Sequence, residues 1–315
     1  MTTTALTGSR KQTQAIGRPN PLLAVLVWEL RRFRASRLFW IQALCFFGLL
    51  LCVLWFEREP DTFSFHTFSA FVAGTSAWGL VELLPFDLLV LLVFLLPFVN
   101  ADGVMRDLQR RTHELLMTTA LPTQAYVWGR YLMGLLVSLG LALLLLVAIL
   151  GTGLLLHLTI TDYPAPAIGG VLMLWVGMVV PATILLSSVS FALGTLLPRQ
   201  STLVKIVILV AWFIGALILP SELRDNPTAP PAWYSAWDPT SAVTARGIIF
   251  QDRVAFTSVP PTSEAQLQQA MLTIENRLTD IGTWLVPHLV LAGLSLVLVV
   301  LAAFAFQRFR SALNG

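Results

Sequence analysis

Six stretches of this chain are apolar over nearly their whole length, near 38–56, 79–99, 129–156, 168–197, 202–220 and 281–306. An α-helix of about 20 apolar residues crosses a bilayer, because only there does each backbone N–H find its C=O within the segment. The fold class follows: all-α, a polytopic membrane protein with six transmembrane helices. Residues 1–19 are polar and expected to be mobile, and residues 20–315 are expected to form a single six-helix domain. The charge content agrees, at 12% of residues. Soluble domains carry about 25%, and this chain has too little polar surface to cover a water-soluble globule. Cys45 and Cys52 lie in the first stretch, about 10 Å apart on a helix, beyond disulfide reach. They are read as buried apolar thiols.

Lys and Arg set the orientation. Fifteen of the twenty fall in the N-terminal segment, the region after the second stretch, the loop after the fourth, and the tail. The other five, Arg58, Arg224, Arg246, Arg253 and Arg277, lie on the opposite side. Basic residues collect on the cytoplasmic face, so both termini are expected there, in a multi-pass inner (cytoplasmic) membrane protein. The long basic leader argues against a cleavable signal and for a signal-anchor first helix. Trp40 and Trp128 are placed at the inner interface and Trp55, Trp78 and Trp284 at the outer one, with Trp175 and Trp212 between helices.

Asn20-Pro21 reads as a helix start, with Asn at the cap and Pro in the first turn. Residues 22–37 are apolar first and basic later, which predicts an interfacial helix whose arginines meet lipid headgroups. Between the second and third stretches, Val104, Leu108, Leu115 and Leu116 share one helical stripe, while Arg106, Asp107, Arg110 and Glu114 take other faces. Pro122 ends this helix. It either lies on the membrane surface or docks a cytoplasmic partner. His113-Glu114 begins a zinc-protease pattern, but Met117 stands where the second histidine belongs, so a hydrolytic zinc site is excluded.

On the outer side, Asp238-Pro239 is a turn or helix-start signal, and Val243, Ile248, Ile249 and Phe250 offer an apolar run to the outer leaflet. Two arrangements stay open, a lipid-surface loop and a re-entrant hairpin buried in protein. Ser263 and Gln266 form a capping box, and Leu267, Met271, Ile274 and Leu278 repeat with helical spacing, predicting an external amphipathic helix.

The order of these segments resembles the ABC-2 type ABC transporter permeases. Arg111, Thr112, Glu114, Leu115, Leu116, Pro122, Gly129 and Arg130 match the family's segment after its second span. Pro231, Trp233, Pro239 and Arg246 match the stretch after its fifth. Gln109, His113 and Asp238 depart from the pattern. The resemblance implies a coupling helix that docks an ATP-hydrolysing subunit through Arg106, Asp107, Arg110, Arg111, Thr112, Glu114, Leu115 and Leu116. It also implies an external hairpin marked by Trp233, Asp238, Pro239 and Arg246, and pairing with a second permease copy, as homo- or heterodimer.

Inside the spans, Glu82, Asp87 and His288 are the ionisable candidates, since burial of such groups is costly unless they are paired or wet. Equal depth motivates an Asp87–His288 pair. Pro181 and Pro287 permit kinks. Ser187, Ser188, Ser190, Ala192 and Gly194 form a small-residue packing face, which suits a dimer contact. The only lysines are Lys11 and Lys205, and neither follows a glycine-rich loop, so ATP is expected on the partner subunit and no cofactor on this chain. The implied function is the permease subunit of an exporter, not itself an enzyme, with membrane lipid and no nucleic acid as partners. The alternative is a non-transporting membrane scaffold or assembly factor.

Overall fold

The computed structural model describes residues 20–59, 61–65, 68–102, 122–161, 163–224, 230–258, 263–275 and 282–313. The coupling segment, with Arg106, Asp107, Arg110, Arg111, Thr112, Glu114, Leu115 and Leu116, lies outside the described residues, as do residues 1–19.

Helix α1 (Pro21–Ala35) starts as its sequence predicts, with Asn20 Oδ1 accepting from Leu22 N at 3.1 Å. Ser36 breaks it and caps the next helix, its Oγ accepting from Phe39 N at 3.3 Å. That elbow leads into α2 (Arg37–Phe56). Two strands follow, β1 (Asp61–Phe65) and β2 (Phe68–Val72), antiparallel, with Phe63 opposite Ala70 and Phe65 opposite Phe68. Helices α3 (Ala77–Asn100), α4 (Thr123–Thr159), α5 (Ile168–Leu196) and α6 (Ser201–Ser221) then run back and forth. Short α7 (Ala232–Ala236), α8 (Ala242–Ser258) and α9 (Glu264–Glu275) precede the last helix, α10 (Gly282–Leu313).

Helices α2 to α6 and α10 are six helices long and apolar enough to cross a membrane, the architecture of a multi-pass membrane protein. Their bounds follow the apolar stretches closely, except that α4 begins at Thr123, immediately after Pro122. The helical, six-span architecture is as expected; the β1–β2 pair, which the sequence reading did not place, fills part of the short connection between α2 and α3.

Helices α3, α4 and α5 form the interior, and α2, α6 and α10 stand outside them with their apolar faces largely exposed. Among lipid tails such packing is driven by close contact rather than by hydrophobic burial, which favours small residues. The small-residue face of α5 does this within the chain. Ser187, Ser188, Ser190 and Ala192 are buried against its neighbours, so this face is not left over for a second copy. A Cβ at Gly194 would collide with the Ala101 carbonyl. Cys45 and Cys52 are exposed, on the outward side of α2, rather than buried. Trp78 and Trp284 are buried in protein rather than set in an interfacial belt: α8 and α9 pack on the start of α3, and the Trp284 ring lies against Gly177 of α5.

The alternating helices define two ends. One carries α1, the start of α4 and the end of α3. The other carries β1, β2 and α7 to α9, where α9 packs on β2 through buried Leu267 and Met271.

Candidate functional site

At the α1 end, charge is buried in pairs. Glu29 is the only acid in the first 56 residues, and it is 3% exposed. It forms ion pairs with Arg32, one turn on, and with Arg130 from the first turns of α4. The Arg130 guanidinium also lies 4.9 Å from the Trp28 ring centre and 5.3 Å from that of Tyr126. Arginine suits this place because its flat, weakly hydrated cation stacks on aromatic faces while bonding a carboxylate. The approach of α1 to α4 needs a glycine at 129, where a Cβ would stand 2.6 Å from Val25.

A second pair joins α3 to α6. Lys205 Nζ donates to Asp102 at 2.7 Å and lies 5.0 Å from the Phe98 ring. Next to it, Asn100 is 1% exposed. Its Nδ2 donates to Leu96 O and Ser138 Oγ, both at 2.9 Å, and reaches Ser187 Oγ at 3.3 Å, tying α3, α4 and α5 together. These two ion pairs flank the predicted docking segment. Asp102 immediately precedes residues 103–121, and Arg130 lies eight residues after Pro122.

At the opposite end the contacts are of another kind. Helices α3, α5 and α6 each contain a π-helical turn, at Leu84–Leu88, Trp175–Val179 and Ile214–Ile218. Each has a proline inside it or two residues after it: Pro85, Pro181 and Pro220. Proline has no N–H, so carbonyls one turn back lose their donor, and the chain relaxes by shifting register. Pro181 is four residues after Gly177, and the Gly177 carbonyl is met instead by His288 Nδ1 at 3.2 Å. A carbonyl only accepts, so Nδ1 carries the proton. In α6 the π turn uses Leu219 N for Ile214 O, and Pro220 has nothing to give Gly215. The Gly215 carbonyl faces Thr240 Oγ1 at 3.4 Å.

Thr240 belongs to the turn that opens α8. Asp238, 3% exposed, accepts from Thr240 N at 2.9 Å, Thr240 Oγ1 at 2.7 Å and Val243 N at 2.6 Å. The single Thr240 hydroxyl proton goes to the shorter bond, and Gly215 takes a secondary share. This collar holds Ser241 at φ 64°, a left-handed conformation that costs energy for a residue with a side chain. Burial pushes the Asp238 carboxyl above its usual range, and the hydrogen bonds from Thr240 and Val243 pull it back. Val243, Ile248 and Ile249 are buried in protein and do not face lipid. The Arg246 guanidinium stacks 5.0 Å from the Phe86 ring in the π turn of α3. Thus α8 and the turn that opens it are seated on α3 and α6, while His288 joins α10 to α5.

Of the residues singled out from sequence, the structure gathers Asp238, Pro239, Arg246 and His288 at this end. His288 has Asp238 as its acidic neighbour, and no hydrogen bond or ion pair joins it to Asp87. Asp87 is exposed on α3, with Glu57 as its charged neighbour. Its π turn breaks the regular 100° step between residues, so equal depth did not mean facing sides. Glu82 is half-buried one turn before Phe86. Trp233 is 71% exposed on α7 and stacks on Tyr234. Sequence reasoning missed the Glu29–Arg130 and Asp102–Lys205 pairs. A lone acid in a basic, apolar helix was the available signal for the first. Compared with known families and with curated proteins, the sequence matches no family model and no curated protein.

Proposed function

We propose that this chain is the permease subunit of an ABC-type exporter in the cytoplasmic membrane, working with a separate ATP-hydrolysing subunit. One observation carries the reading. The segment that resembles a coupling helix is anchored on both flanks, by Asp102–Lys205 to α6 and by Arg130–Glu29 to α1. A partner that displaces this segment therefore pulls on two other helices through ion pairs, rather than moving a loose loop. The basic residues of the α1 end support a cytoplasmic position for it and for both termini. There α1 lies along the interface, and α8 forms a re-entrant element on the outer side. ATP binds the partner, and this chain supplies the path. The exposed apolar faces of α2 and α6 are the surfaces available to a second copy.

The test is purification of the chain from native membranes in mild detergent. An accompanying P-loop ATPase is expected, and the double substitution Glu114→Arg, Leu115→Asp should release it while the helices stay folded. A stable complex that hydrolyses no ATP would overturn the proposal in favour of the scaffold reading.

A further inference from the structure

A cavity of about 140 Å³ opens beside the α1–α2 elbow, between those helices and the facing parts of α3 and α4. That is roughly ten times the space one ordered water needs. Its floor is buried and includes Asn100 and Gly134, while its rim includes Leu38 and Phe98, 65% and 50% exposed. An exposed apolar rim at the end of a membrane span suits lipid tails. The lining nevertheless holds two acids, Glu29 and Asp102, and two bases, Arg32 and Arg130. Asn100 Oδ1, on the floor, is buried and has no hydrogen-bond partner.

We propose that this cavity binds one membrane phospholipid whose headgroup carries a primary ammonium, as phosphatidylethanolamine does. The order of groups in such a lipid matches the order of the lining. Acyl chains meet Leu38 and Phe98 at the rim. The phosphate meets Arg32, whose side chain is 31% exposed. The ammonium, farthest from the chains, reaches Asn100 Oδ1 and the Asp102 carboxylate. A zwitterion adds no net charge to a lining in which Glu29 is paired with two arginines and Asp102 already accepts from Lys205 through Oδ2. A quaternary ammonium has no N–H to donate to Asn100 Oδ1, and a glycerol headgroup brings no cation to the carboxylates. The inference stands apart from the transport reading, since it concerns only the lipid beside α1.

The experiment is native mass spectrometry of the full chain, purified in detergent and incubated with equimolar phosphatidylethanolamine, phosphatidylglycerol and phosphatidylcholine. Retention of the first over the other two by about tenfold is expected, the ratio that one charge-assisted hydrogen bond supplies. Asp102→Asn should remove that preference, and Arg32→Gln should weaken all three adducts. Val99→Phe fills the cavity without touching a charge and should abolish the adduct; it decides the matter alone if Asp102→Asn fails to elute as a folded monodisperse species. Arg31→Gln, at an exposed α1 position outside the cavity, should change nothing. Equal retention of the three lipids, or preference for phosphatidylglycerol, overturns the proposal. So does a preference that survives Val99→Phe. Soluble phosphoethanolamine binding as well as the lipid also overturns it, because the apolar rim would then contribute nothing.

Discussion

At the α1 end of the bundle, opposite charges meet in buried pairs; at the other end, side chains meet backbone carbonyls that prolines have left without donors. The first arrangement is long-range and directional only in sign. Glu29, Arg32 and Arg130 are held by Coulomb attraction and by the aromatic faces of Trp28 and Tyr126. The second depends on local geometry. His288 reaches Gly177, and Thr240 reaches Gly215, because Pro181 and Pro220 offer no N–H. Charge pairs tolerate small shifts of one helix against another. Hydrogen bonds to orphaned carbonyls do not, so the α8 end is the stiffer template and the α1 end the more forgiving one.

Substitutions separate the two cases. Glu29→Ala should have the largest effect, about 3–5 kcal/mol, because it takes the carboxylate away from a buried Arg130. Thermal unfolding of the purified chain in detergent is the measurement. Asp238→Ala comes next, at about 2–3 kcal/mol for three lost hydrogen bonds to a buried carboxylate, with Asp238→Asn recovering most of it. Gly177→Ala should cost about 1–2 kcal/mol, since its Cβ would stand 2.7 Å from the Trp284 ring. His288→Phe should cost about 1 kcal/mol, with recovery by His288→Asn, whose amide N–H can replace Nδ1. Lys205→Gln should cost less than about 1 kcal/mol, because that pair is partly exposed, and the loss should shrink as salt rises. If Gly177→Ala and His288→Phe proved as salt-sensitive as Lys205→Gln, the distinction between the two ends would fail.

Hydropathy made the six long helices legible, because apolar length is a property of one segment at a time. The Asn20 cap and the Ser263 cap were legible for the same reason, since each involves only neighbours in sequence. The strand pair within 61–72 was missed although Phe63 and Phe65 alternate, a pattern that short strands share with many loops. The π turns were hidden as well. Their prolines were visible, but a proline reads equally as a kink, and only the structure shows that the register shifts. Asp87 and His288, matched by depth, do not meet, and His288 has Asp238 as its acidic neighbour. The Glu29–Arg130 and Asp102–Lys205 pairs were illegible in a different way, because each joins residues about 100 positions apart that hydropathy cannot relate.

Helix α4 carries one more consequence. It has 37 residues of uninterrupted α-helix, whereas α3, α5 and α6 each contain a π turn. At 1.5 Å per residue it is a rod of about 55 Å, far longer than the roughly 30 Å of hydrocarbon it has to cross. Arg130 is fixed near its first turn, while near its last, Gly153 packs on Thr75 and His157 meets the Tyr163 carbonyl. A rod without a joint delivers at its far end whatever tilt is imposed at the near one. Its neighbours α3, α5 and α6 each change register on the way across, and α4 does not.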